Sequence, residues 1–293
     1  MQKWMIALAV GLGFVCVVTF ITAYITLPQW GVPALLQPYR KPLPEKPAIA
    51  TEIEWKNSDV VIRGWLFPSQ AKQKATLIYL HGVADNRAGV IGLAKHFCPL
   101  GFDVIAYDSR AHGTSGGTAC TYGFHEHEDL KIIIESIDHG PVILCGSSMG
   151  AAVALLTAEH HPDIRALVLL EIFADLRSAI RSRVPSFIGD HFINVIVDEA
   201  EKAALFDIDQ VSPLRAAENV SIPTLLIHGT EDKATPPDHS RKVYLALQGE
   251  KELILIEGAG HSQIGSYDQT WEAIEKWVLN AISSAKSMSS PGS

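Results

Sequence analysis

Three short stretches of the chain carry residue types that together support nucleophilic catalysis. The first is Gly146-Ser147-Ser148-Met149-Gly150, which follows the apolar run Val142-Ile143-Leu144-Cys145 and leads into an Ala- and Val-rich stretch. A Gly-x-Ser-x-Gly sequence has chemical meaning in that strand, turn and helix context. A strained turn there lifts the serine hydroxyl above the sheet, and small flanking residues let strand and helix approach. The start of the helix also aims unpaired amides, that of Met149 among them, toward a developing oxyanion. A serine hydroxyl is a poor nucleophile at neutral pH, so it needs a base, and the base needs an orienting acid. Both follow in the order Ser, Asp, His. Asp232 stands in the loop after Thr224-Leu225-Leu226-Ile227-His228-Gly229, and His261 stands in the loop after Leu253-Ile254-Leu255-Ile256. Glu231 is the rival acid. The chemistry expected of this set is two-step acyl transfer through an acyl-enzyme.

The elements that must position these residues are legible as alternating short apolar runs and longer helical patterns. That alternation marks an α/β fold with a mostly parallel sheet covered by helices on both faces. Eight strands are predicted, at 51–55, 60–67, 76–80, 103–107, 142–145, 166–170, 224–228 and 253–256. The first two form an antiparallel hairpin turned at Asn57, Ser58 and Asp59. Helices are predicted at 88–98, 124–138, 149–160, 238–247 and 268–282. Between 170 and 224 the interval is several times a normal connection. Its patterns at 173–183 and 192–205 predict a small helical cap, about 171–215, over the carboxyl edge of the sheet, where open α/β sheets bind ligands.

The ends of the chain read differently. Residues 4–27 are 24 residues without charge, long enough at about 1.5 Å each to span a hydrocarbon layer of about 30 Å. The run exceeds the apolar core of a cleaved signal, so the expectation is an uncleaved single-pass membrane anchor over 1–27. Lys3 on one side and Arg40 and Lys41 on the other give it no positive-inside bias. Residues 28–47 contain six prolines and are expected to form a stiff linker without regular structure. One folded domain is expected over 48–283 and a flexible tail over 284–293.

A formal charge of -8 without any clustered basic stripe excludes a nucleic-acid surface. Cys16, Cys98, Cys120 and Cys145 lack the spacing of a zinc site and read as small apolar residues. A Cys98–Cys120 bridge is disfavoured because the two lie toward opposite ends of the sheet. In His125-Glu126-His127-Glu128-Asp129 the two histidines do not share a helix face, and acids suit a helix start, so no metal site is expected. No glycine-rich nucleotide motif follows a predicted strand, and no cofactor is implied.

With these residues the chain resembles the α/β-hydrolase superfamily from about residue 53 to the last helix. Leu170-Glu171-Ile172-Phe173-Ala174-Asp175-Leu176 and the stretch from Ser212 to Gly229 are similar to the small-capped Bem46-like and serine aminopeptidase-like hydrolases. The resemblance implies that Val83, after His81-Gly82, gives the second oxyanion amide beside Met149. It also implies that His81, Asp108, Arg110 and His112 are scaffold, and that Ala111 replaces a usual glycine. These motifs are poor guides to substrate; small-molecule carboxylic esters are expected because their leaving groups depart easily, with peptides or amides, thioesters and lipid esters as alternatives. A non-catalytic membrane-tethered binding module and an acyltransferase are the other classes. A small cap predicts an acyl pocket that fills early, at roughly two to eight carbons, lined by residues such as Phe173, Phe187, Ile188, Phe192 and Ile196.

Overall fold

A computed structural model describes residues 2–138 and 140–288, with side chains at 15, 18–22, 24–138 and 140–283. In chain order the elements are α1 (Gln2–Leu36), β1 (Thr51–Asn57), β2 (Val60–Phe67), β3 (Ala75–Leu80), α2 (Ile91–Phe97), β4 (Phe102–Tyr107), α3 (Glu126–Glu135), β5 (Val142–Ser147), α4 (Met149–Ala158) and β6 (Ala166–Leu170). These are followed by α5 (Leu176–Arg183), α6 (Asp190–Ala204), α7 (Pro213–Ala217), β7 (Thr224–Gly229), α8 (Asp238–Ala246), β8 (Lys251–Ile256) and α9 (Asp268–Met288). The strands form one eight-stranded sheet in the order β1-β2-β4-β3-β5-β6-β7-β8. β2 runs antiparallel to both β1 and β4, and every later pairing is parallel. Asn57 pairs with Val60, so the hairpin turns on Ser58, whose φ is 54°, and Asp59.

The inner strands are runs of Val, Ile and Leu because both faces of the sheet are covered. Successive residues enter opposite cores, as a period of two requires. Ile78, Leu144 and Leu226 pack with α3 and α4 on one face. Leu77, Ile143 and Leu225 pack with α2 and α9 on the other. Since β5, β6, β7 and β8 are parallel, the loops after them leave the same edge of the sheet, and those loops hold Ser148, Glu171, Asp232 and His261.

The amino-terminal region departs from expectation. Helix α1 continues through Pro28 and Pro33 to Leu36, so the first part of the predicted linker is helical. A proline inside a helix removes a hydrogen bond, a cost of about 3 kcal/mol. Packing and capping offset it here. Gly31 lies so close to α6 that an added Cβ would press on Ile196, and Leu36 is buried. The last carbonyls of α1 are also satisfied from outside: the Cys120 amide donates to the Leu36 carbonyl (2.7 Å) and the Tyr122 hydroxyl to that of Leu35 (3.0 Å). The following residues are fastened as well. The Arg40 guanidinium donates to the carbonyls of His112, Gly113, Ser115 and Gly117, and Lys41 pairs with Asp85 at 2.7 Å.

The predicted anchor, 4–27, lies on α1, and most of its side chains before residue 18 lie outside the described ones. Among the described residues no helix is long and apolar enough to cross a membrane. At the other end α9 extends to Met288, into the stretch expected as tail, through residues such as Ala285 and Lys286 that favour helix. Residues 289–293 lie outside the described ones.

Candidate active site

Ser148 occupies the turn between β5 and α4 at φ 52° and ψ −112°, a conformation that a non-glycine residue holds only when its surroundings force it. Its amide donates to the Leu170 carbonyl at 2.7 Å. The flanking glycines are required by crowding. A Cβ on Gly146 would collide with the Gly150 carbonyl, and one on Gly150 with that of Leu80. The Met149 amide, at the first position of α4, has no helical acceptor. Among the described hydrogen bonds none uses the Val83 amide. Val83, Ser148 and Met149 line one cavity.

The acid and the imidazole meet directly, with His261 Nδ1 2.6 Å from Asp232 Oδ2. A carboxylate at Nδ1 requires the proton there, which leaves Nε2 with its lone pair. Asp232 is buried, whereas the His261 side chain is 21% exposed. Oδ1 of Asp232 accepts from the amides of Thr235 (2.8 Å) and Ala234 (3.0 Å). His228, fully buried, lies 3.2 Å from Oδ2 through Nε2. It is held by the Thr235 carbonyl at Nε2 and the Ser240 hydroxyl at Nδ1. Burial pushes the Asp232 carboxyl up, but the hydrogen bonds from His228, His261 and the Thr235 amide outweigh it and hold the group well below the usual carboxylate range. Glu231 is exposed and makes no side-chain contact with the imidazole among the described residues, so the geometry favours Asp232 as the acid. No hydrogen bond joins Ser148 to His261 among the described residues. Such bonds often tighten only around substrate.

Sequence reasoning passed over Glu171. It follows β6 at φ 54°, is fully buried, and accepts the Ser262 amide with both carboxylate oxygens, at 2.8 and 2.9 Å. The preceding Leu170 carbonyl holds the Ser148 amide, so two consecutive residues at the end of β6 tie the serine turn to the histidine loop. Burial pushes the Glu171 carboxyl up, opposed by the nearby His261 imidazole and the Ser262 amide. An acid at the carboxyl end of an inner strand was the available signal. Glu171, Asp232 and His261 also form the one group among the described residues whose ligand atoms, within 4.8 Å of one another, could hold a cation. Two of the three are already engaged with each other.

The residues expected as scaffold are placed as scaffold. His81 is fully buried, with Nδ1 on the Gly82 carbonyl and Nε2 accepting the Ser109 amide, and burial pushes its pKa down. Asp108 forms a buried ion pair with Arg87 at 2.8 Å, and Arg110 pairs with Asp129 at 2.7 Å. Ala111 does take the left-handed conformation of the glycine it replaces, φ 60°. Glu126 accepts from the amides of Thr121 and Gly123 and from the Thr121 hydroxyl. Cys98, Cys120 and Cys145 are free and buried.

A cavity of about 580 Å³, lined almost wholly by apolar side chains, opens at Ser148. Its lining matches only part of the set expected from the cap. Phe173, Ile188 and Ile196 line it, but Phe187 is 86% exposed and Phe192 packs on Phe20 of α1 instead. The opposite wall is α1 itself and the residues after it, from Leu27 to Tyr39. The volume is that of sites for drug-sized ligands.

The comparisons with known proteins agree with this architecture. Residues 75–190 match a family model of the alpha/beta hydrolase fold, and residues 133–284, a little over half of the chain, match that of the prolyl oligopeptidase family. The chain is 29% identical to the uncharacterized protein YqkD of Bacillus subtilis over 220 residues, 69% of each. It is 28% identical to the lysophosphatidylserine lipase ABHD12 of Mus musculus over 211 residues, 65% of this chain and 50% of that protein. Among solved structures, the Pyrococcus furiosus esterase Pf2001 superposes with a TM-score of 0.70 at 21% identity, covering 84% of this chain and 99% of that one. The chain belongs to the α/β-hydrolase superfamily, and over residues 133–284 it matches the prolyl oligopeptidase family.

Proposed function

We propose that the protein is a membrane-tethered serine hydrolase that cleaves carboxylic esters through Ser148, His261 and Asp232. In the first step His261 Nε2 takes the hydroxyl proton as Ser148 Oγ attacks the ester carbonyl. The Val83 and Met149 amides hold the oxyanion, and the alcohol leaves with the proton from His261. Water then attacks the acyl-enzyme, giving its proton to the same nitrogen, which passes it to Ser148 Oγ as the acid departs. The observation that carries this reading is the 2.6 Å bond between Asp232 and His261, on the same sheet edge as the strained Ser148 turn. An apolar cavity suits an acyl chain better than a peptide, whose backbone would need polar partners. Arg183 is the one ionised side chain among its lining residues. That residue favours, as the second reading, an ester with an anionic group, consistent with a relative named for lysophosphatidylserine.

Residues 4–27, uncharged throughout, are the proposed anchor. The full-length protein should then stay with membranes through alkaline carbonate washing, and its release would remove the anchor from the proposal. For the chemistry, purified protein should hydrolyse p-nitrophenyl esters without any added acceptor, and Ser148→Ala should not. Undiminished turnover by that variant would overturn the assignment. Absence of turnover in the parent chain would leave the binding-module reading, and turnover that requires an added acceptor alcohol would mark an acyltransferase.

A further inference from the structure

The two walls of the Ser148 cavity come from distant parts of the sequence. One is the cap. The other is a stripe on α1: Leu27, Gly31, Ala34 and Leu35 all line the cavity, and their spacing of three and four puts them on one helical face. Gly31 meets α6 at Ile196 so closely that a side chain there must push into the cavity or force the helices apart. Ala34 is exposed and lines the same space. Farther out the two helices stay together, with Phe20 packed on Phe192 (centroids 5.5 Å apart) and Tyr24 on His191 (6.0 Å). On α1 this seam extends from residue 31 to residue 20, about 16 Å at 1.5 Å per residue. If residues 4–27 are the anchor, the outer end of that seam lies in hydrocarbon. Tyr39 and Phe187, 68% and 86% exposed, are aromatics of the kind that settle at a membrane surface.

We propose that α1 is the membrane-side wall of the acyl pocket, along which a long-chain acyl ester passes from the bilayer to Ser148, with Gly31 and Ala34 setting the chain length that fits. The proposal rests on the serine-hydrolase reading and names its substrate class. The helix is held in place for this role by the amide of Cys120, the hydroxyl of Tyr122 and the Arg40 clamp, so the wall is not free to swing away from the catalytic loops. Each methylene the wall covers contributes close to fourfold in kcat/KM. Narrowing the passage therefore penalises long chains and spares a two-carbon acyl group, which needs none of the wall.

The test uses the full-length protein in a constant detergent, with p-nitrophenyl palmitate and p-nitrophenyl acetate. In the parent chain the ratio of palmitate to acetate kcat/KM is expected to exceed one. Gly31→Leu and Ala34→Phe should each lower it at least about tenfold. Trp30→Leu, on the same helix but off the cavity, should leave it unchanged. Should Gly31→Leu fail to fold, Ala34→Phe decides alone, because that position is exposed and tolerates a larger side chain. A ratio within about twofold of the parent in Ala34→Phe, or a parent ratio below one, overturns the proposal. Hydrolysis of both esters by Ser148→Ala would instead defeat the hydrolase reading and leave the wall a separate question.

Discussion

The loops at the carboxyl edge of the sheet and the helices that roof them are built on opposite principles. In the loops, polar groups are buried and nearly every one is engaged: Asp232 takes two amides and two imidazoles, and Glu171 takes an amide with both oxygens. Such sites are rigid, because each lost bond would leave a buried polar group unpaired. In the roof, α1 and α6 meet through a glycine, aliphatic side chains and stacked aromatics, with few polar contacts fixing one geometry. The first arrangement suits a fixed reaction, and the second suits a ligand that varies in length. Changes in the loops should therefore alter kcat with any ester, whereas changes in the roof should alter which ester is preferred.

Asp232→Asn breaks the loop side of that contrast most severely. The imidazole loses its orienting charge, and kcat should fall by up to about 10⁴-fold with all acyl lengths alike. Glu231→Gln should change it less than about twofold, and a reversal of the two effects would move the acid to Glu231. Glu171 is expected to act by positioning. Glu171→Ala should lower kcat about 10- to 100-fold with KM unchanged, and Glu171→Gln, which keeps an acceptor for the Ser262 amide, should recover most of the loss. Equal losses in the two variants would show that the charge matters and not the hydrogen bond.

Two smaller effects concern the loop scaffold. Burial, and next to it the neighbouring His81, push the His112 pKa from 6.5 down to about 4, so the folded state resists a proton that the unfolded chain accepts. Above about pH 6.5 the ring is neutral in both states and contributes nothing. As pH falls from there toward 4 the native state should lose about 3 kcal/mol. Chemical denaturation at pH 7 and pH 4.5 should show that loss in the parent chain and less of it in His112→Gln. Ala111→Gly removes a left-handed strain of about 1 kcal/mol along with a buried methyl worth about 0.8 kcal/mol. Its stability should stay within about 1 kcal/mol of the parent, and a larger change would mean that the loop around Ala111 rearranges.

What could be read from the sequence follows the same division. The eight strands were predicted within two residues of their observed ends, because Val, Ile and Leu runs bounded by Gly, Pro and Asp report burial on both faces. The Ser, Asp and His loops followed from strand ends and chain order. The path of α1 through Pro28 and Pro33 was not legible, since proline reports a local preference while the compensating contacts come from Cys120, Tyr122 and Ile196, far along the chain. For the same reason the lining residues expected for the pocket all came from the cap. Glu171 was visible inside a family-like segment, but its bond to Ser262 joins residues 91 positions apart, which no local pattern reveals.

The central claim is that Ser148 is an activated nucleophile. Treating the full-length protein with a fluorophosphonate probe and mapping the adduct by peptide mass spectrometry tests it most directly. A single adduct on Ser148, absent in Ser148→Ala and formed much more slowly in Asp232→Asn, is the result expected. An adduct on another residue, or labelling that persists undiminished in Ser148→Ala, would contradict the account.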